Sequence, residues 1–214
     1  MPTIRVVVVD DEPLTRAGVR YALEQADDLD VAAAVPVAGA VETIQEQLPQ
    51  VVLLDSCTSD AEPLSDGIGR LDRPPSVCVF SRSSDRRHVA VALAAGASGY
   101  VLKSTPSERL APLVRSLADG WTMLSAGIGD DLATRYVAGL GRDVSAGHLS
   151  RLTARERQIL VLVGAGLSNA EIGLRTHLSP ATVKDHVGSI LRKLEVSSRL
   201  RAALLADRAG LLPY

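Results

Sequence analysis

Five polar side chains sit where short apolar runs end. Asp10 and Asp11 follow the β-branched run Ile4–Val9, Asp55 closes Val51–Leu54, Ser81 follows Ser76–Phe80, and Lys103 follows Gly99–Leu102. Three carboxylates gathered at one edge repel one another unless a divalent cation sits among them, and hard oxygen donors suit Mg²⁺. A cation held there would neutralise charge on an incoming phosphoryl group. Lys103 can meet that group as a point charge, and Ser81 can donate its hydroxyl to a phosphoryl oxygen. Singly, an acidic residue after a strand is an ordinary solvated loop position. Five groups of matching types on four strand ends favour a site.

For these groups to meet, the runs before them must be neighbouring parallel strands. Ile4–Val9 (IRVVVV) reads as a strand buried on both faces. Pro13 then suits a first helical turn, and Leu14, Gly18, Tyr21 and Ala22 repeat at helical spacing to Gln25. Further strands are predicted at Asp30–Ala34, Val51–Leu54, Ser76–Phe80 and Gly99–Leu102, with helices at Ala40–Gln47, Arg86–Ala95 and Pro106–Ala118. This alternation predicts a doubly wound α/β domain with a five-stranded parallel sheet over residues 1–119. Such sheets bind ligands at the carboxyl ends of their strands.

Residues 120–149 are rich in Gly, Ser and Asp and read as a linker holding one short helix near Asp130–Val137. From 150 to 214 no strand signal remains, and a four-helix, all-α domain is predicted. Thr153 with Glu156 three residues on forms a capping box, and the first helix runs to the Gly164-Ala165-Gly166 stop. Ser168 caps a second helix through Arg175, Ser179-Pro180 starts a third to about Leu194, and Ser197 opens a fourth that closes at Gly210. On the third, Val183, Val187, Ile190 and Leu194 should face the core. The opposite stripe is Ala181, Lys184, Asp185, Gly188 and Arg192.

Charge divides along the same line. Residues 1–118 carry 11 basic and 16 acidic side chains, whereas residues 151–214 carry 10 basic and 5 acidic. A basic helical tail behind an acidic domain points to nucleic acid as the tail's partner. With 214 residues, 46% of them hydrophobic, the chain fits two small cored domains, and 22% charged residues exclude a disordered chain. No apolar run approaches the roughly 18 residues that span a bilayer. The start lacks the apolar core of a signal peptide, and Cys57 and Cys78 are too few for a disulfide scaffold. A cytoplasmic location without membrane association is the expectation.

The stretches VVVVDDEPLTRAGVRYAL, VVLLD ending at Asp55, and ALAAGASGYVLKSTPSERL resemble a response-regulator receiver domain. The tail LTARERQILVLVGAGLSNAEIGLRTHLSPATVKDHVGSILRKLEVSSRLRAALLA is similar to the LuxR-type helix-turn-helix of NarL/FixJ regulators. By that resemblance Asp55 is the phosphoacceptor, Asp10 and Asp11 form the acidic pocket, and Asp11 and Asp55 ligate Mg²⁺ beside the backbone carbonyl of Cys57. Ser81 and Tyr100 become the switch pair and Lys103 the phosphate-binding lysine. The third tail helix becomes a recognition helix whose Thr182, Lys184 and Asp185 lie closest to bases or phosphates, with Gly188 and Arg192 on the same face. The implied protein is a transcription factor that binds double-stranded DNA as a homodimer and takes phosphate from a sensor histidine kinase.

The departure from that pattern is DSCTSDAEPLSDGIGRLDRPPSVCVFS, where a long loop and Gly69, Pro74 and Pro75 leave room for a short or irregular third helix. That stretch keeps a second reading open: a receiver fold governed by ligand or protein binding, or constitutively active, without phosphorylation. A phosphatase of the dehalogenase type needs a second carboxylate two residues past its nucleophile. Cys57 stands there, so no enzyme is expected beyond slow loss of the aspartyl phosphate.

Overall fold

In a computed structural model, which describes residues 3–55, 68, 71, 74–130 and 149–212, the chain divides into two compact units. One comprises Met1–Ala118 with Met123–Ser125, the other Asp119–Thr122 with Ala126–Tyr214.

The first unit alternates β1 (Ile4–Val9), α1 (Pro13–Glu24), β2 (Leu29–Val35), α2 (Ala40–Gln47), β3 (Val51–Asp55), β4 (Ser76–Ser81), α3 (Arg86–Ala94), β5 (Gly99–Leu102), α4 (Leu110–Ala118) and β6 (Met123–Leu124). A 3₁₀ turn, Ser107–Arg109, precedes α4, so the helix expected from Pro106 begins as a tighter coil. All strands pair in parallel in the order β2-β1-β3-β4-β5-β6. The doubly wound parallel sheet expected from the sequence is present. Its sixth, two-residue edge strand falls within the stretch that reads as a linker, because two residues carry no periodicity. Gly99 lets β6 come close: a Cβ there would meet the Met123 carbonyl at 2.8 Å.

β1 shows why a continuous apolar run was needed. Val6 and Val8 pack with Val19, Leu23, Leu113 and Leu117 on one face, while Val7 and Val9 pack with Ala40, Ile44 and Ile68 on the other. Helices cover both faces, so every β1 side chain from Val6 onward is buried. The segment Ser56–Pro75, expected to be irregular, lies almost wholly outside the described residues. Ile68 within it is fully buried.

The second unit contains α5 (Ala154–Gly164), α6 (Asn169–Thr176), α7 (Pro180–Leu194) and α8 (Arg199–Arg208) around Leu152, Ile159, Leu160, Ile172, Val183, Ile190 and Leu194. Val187 packs against this core while partly exposed. Thr153 and Ser168 both form complete capping boxes, with Glu156 and Glu171. The last helix is capped by Ser198 rather than Ser197, since the Ser198 Oγ accepts from the Arg201 N–H. Residues 126–130 are helical, and the rest of the helix expected near Asp130–Val137 lies outside the described residues.

Candidate functional site

Parallel pairing brings the carboxyl ends of β1, β3, β4 and β5 to one edge. Val9 pairs with Leu54, so Asp10 and Asp55 come level, and Ser81 pairs with Leu102, which sets Lys103 just beyond. Asp10 and Asp55 are only 2% and 3% exposed. Between them the Lys103 ammonium lies 2.7 Å from Asp10 Oδ2 and 3.0 Å from Asp55 Oδ1. Burial alone would lower the lysine's pKa. The hydrogen bonds to Asp10 and then Asp55 more than offset it, and the ammonium is held above its usual range.

The other predicted residues gather around this triad unevenly. Ser81 is fully buried, and its Oγ accepts from the Ser83 N–H at 3.0 Å. Tyr100 is fully buried, its hydroxyl donating to the Ser83 carbonyl at 2.8 Å, so the same loop residue touches both members of the expected switch pair. Asp11 is exposed, and its Oδ1 accepts from the Val37 N–H at 3.0 Å. Cys57 lies outside the described residues. Cys78 is buried in the core, where desolvation pushes its thiol up to about 12, so it is not a nucleophile.

Among the described residues no three acidic, His or Cys side chains converge on one point as a cation cage. The donor chemistry nonetheless fits Mg²⁺: Asp10 and Asp55 share the single Lys103 ammonium, an excess of negative charge on hard oxygens, and Asp11 adds a further carboxylate next to Asp10 in the chain.

Three charged neighbours carry no signal of their own in the sequence. Glu12 donates its N–H to Asp10 Oδ1 at 2.8 Å, and its carboxylate accepts from the Thr15 hydroxyl and pairs with Arg82. Arg16 donates to the Asp10 carbonyl. A charged residue at a loop mouth gives no sequence signal of its partner, which depends on strand order.

In the second unit α6 and α7 meet through His177, Leu178 and Ser179. His177 adopts φ 56°, closing α6, and the Ser179 hydroxyl caps α7 by accepting from the Thr182 N–H. Thr182 is tied to this cap, its Oγ1 2.8 Å from Ser179 Oγ. Ala181, Asp185 and Arg192 are exposed, Gly188 has open space where a Cβ would be, and Lys184 is half-buried. Desolvation lowers the Lys184 pKa, against the pull of Asp185 in the other direction. The face opposite the core therefore presents the expected stripe. Lys193, its neighbour, is committed elsewhere: its ammonium lies 2.7 Å from the buried Glu156.

Residues 6–115 match the response regulator receiver domain, and residues 150–206 match the luxR family of bacterial regulatory proteins. The chain is 33% identical to the uncharacterized transcriptional regulatory protein YhcZ of Bacillus subtilis (strain 168), over 97% of each chain. It is 32% identical to the nitrate/nitrite response regulator protein NarL of Escherichia coli (strain K12), over 93% of each. The crystal structure of the response regulator ChrA, from a heme-sensing two-component system, superposes with a TM-score of 0.52 at 30% identity, covering 99% of this chain and all of that one. A buried Asp–Lys–Asp cluster on a doubly wound sheet, joined to a helix-turn-helix unit, defines a class of DNA-binding transcription regulators. The chain belongs to the LuxR-family two-component response regulators. These are regulators rather than enzymes. Among the described residues no helix is long and apolar enough to cross a membrane.

Proposed function

We propose that this regulator is switched by phosphorylation of Asp55 by a sensor histidine kinase and then acts on double-stranded DNA as a homodimer. Residues 1–119 form the receiver, 120–149 the linker and 150–214 the DNA-binding domain. The observation that carries the reading is the Lys103 ammonium between two buried carboxylates at the carboxyl edge of the sheet. A carboxylate oxygen of Asp55 attacks phosphorus, the bond to the donor's leaving atom breaks, and the leaving group departs with that electron pair. In the slow reversal water adds at phosphorus, Asp55 leaves as a carboxylate and the proton passes to solvent. Asp10, Asp11 and Asp55 would hold Mg²⁺ together with the backbone carbonyl of Cys57, and the ion would supply charge neutralisation at the phosphoryl oxygens.

Lys103 follows the new charge. Once Asp55 carries a phosphoryl group, the ammonium has a stronger anion than a carboxylate to meet. Ser81 then turns its hydroxyl from the Ser83 N–H to a phosphoryl oxygen, and the β4–α3 loop that also holds the Tyr100 hydroxyl repacks. In the second unit Thr182, Lys184, Asp185, Gly188 and Arg192 form the surface offered to the major groove. Dimers fit because paired half-sites supply affinity that one helix-turn-helix lacks.

Intact mass after incubation with acetyl phosphate and Mg²⁺ tests the switch. Wild-type protein gains one phosphoryl mass, Asp55→Asn gains none, and Lys103→Ala still labels but loses the coupled conformational change. A folded wild-type protein that stays unlabelled would transfer the reading to a receiver governed by ligand or protein binding.

A further inference from the structure

The sheet order makes one surface contact more consequential than its exposure suggests. β3 lies between β1 and β4, so Asp55 sits between the exits of those two strands. Glu12 is in the turn leaving β1, and Arg82 immediately follows β4. Their side chains form an ion pair. Neighbouring strands are about 4.8 Å apart, so a link from β1's exit to β4's exit bridges two strand spacings and crosses the end of β3. Lys103 makes the corresponding crossing from β5 to reach Asp55 and Asp10 within the buried cluster.

The Glu12 side chain is set up for this crossing. Glu12 occupies the N-cap position of α1, yet its side chain makes no capping bond to the helix. Instead the Thr15 hydroxyl donates to Oε2 at 2.9 Å, the oxygen that also pairs with Arg82. The Glu12 N–H bonded to Asp10 Oδ1 ties the backbone of the crossing to the buried cluster.

We infer that the Glu12–Arg82 pair is a strap across the mouth of the Asp55 site that gates the arrival of small phosphodonors and of the hydrolytic water. The inference rests on Asp55 being the phosphoacceptor. The side chains are 45% and 62% exposed, and exposed pairs are weak, so the strap opens often and its effect on rates is bounded at about five-fold.

The experiment uses the full chain. Arg82→Ala and Glu12→Gln should each raise the rate of labelling by acetyl phosphate with Mg²⁺, and the rate of phosphoryl loss after the donor is removed, by about two- to five-fold. The swapped double variant Glu12→Arg, Arg82→Glu should return both rates towards wild type. Unchanged or slower rates in the single variants overturn the strap, as does a swapped variant as fast as the single ones. A second measurement needs no phosphoryl chemistry: alkylation by iodoacetamide of the thiol introduced by Asp55→Cys, in a Cys57→Ser background. Adding Arg82→Ala should accelerate it by a similar factor. Strap-dependent alkylation in a protein that takes no phosphoryl group would refute the phosphoacceptor and keep the gate; strap-independent alkylation refutes the gate.

Discussion

Glu156 is a carboxylate only 4% exposed that collects three donors, one from the N-cap of its own helix and two from α7. Its Oε2 accepts from the Thr153 N–H at 2.8 Å and from the Lys193 ammonium at 2.7 Å, and Oε1 accepts from the Ser189 hydroxyl at 2.8 Å. Burial would raise its pKa; Lys193 chiefly, then Thr153 and Ser189, bring it down to about 2. Its folded pKa is thus depressed below the ordinary 4.5, so its contribution is fully present above pH 4.5 and disappears as pH falls towards 2. Glu156→Gln should cost roughly 1–3 kcal/mol at neutral pH, because the Lys193 ammonium loses its counter-charge and an amide NH₂ replaces one accepting oxygen, and the gap from wild type should close between those two pH values. Thermal unfolding at pH 7 and at pH 2.5 checks both halves; an equal gap at the two values would mean the carboxylate is not the source. Since Ser189 and Lys193 belong to α7, the same side chain fixes how α7 sits on α5.

At the scale of elements, the helix-turn-helix depends on a residue with no side chain. A Cβ at Gly173 would lie 2.6 Å from the Leu178 carbonyl, backbone that cannot swing aside. The Leu178 N–H donates to the Gly173 carbonyl at 3.0 Å, so the turn folds directly over this position. Gly173→Ala should destabilise the second unit by about 1–3 kcal/mol, read by chemical denaturation, and a neutral result would show that the turn can relax. Elements of this kind show where sequence reasoning stops. Ile4–Val9 was legible because a strand buried on both faces must be apolar throughout, and the Thr153–Glu156 box because capping is local. Gly173 was not, since its constraint comes from a turn that folds back on it. Asp10, Asp55 and Lys103 could be placed at one edge from the strand ends alone. The Glu12–Arg82 pair could not, because it exists only once β3 is known to lie between β1 and β4.

Across the whole molecule, charge is distributed so that one half attracts nucleic acid and the other opposes it. Residues 151–214 hold twice as many basic as acidic side chains, while residues 1–118 hold an acidic excess, 16 to 11. Among the described residues the second unit's core runs from Leu149 to Leu211, so residues 150–214, which keep all of it but Leu149, should fold alone. The full chain and this fragment should both bind duplex DNA with affinity that falls steeply with salt, since each phosphate neutralised by a side chain such as Lys184 or Arg192 releases a counterion. Lys184→Ala should flatten the logarithmic salt slope by about one if the ammonium meets a phosphate. Association rates separate the full chain from the fragment further. At low salt the basic fragment is drawn in from a distance, whereas the full chain carries its acidic half into the same field. The fragment should therefore associate faster at about 0.01 M salt, where the Debye length is about 30 Å, and its advantage should shrink by about 0.15 M, where that length is about 8 Å. Stopped-flow association with one labelled duplex across that range decides it. A rate ratio that stays constant with salt would show that something other than the acidic half separates the full chain from its fragment.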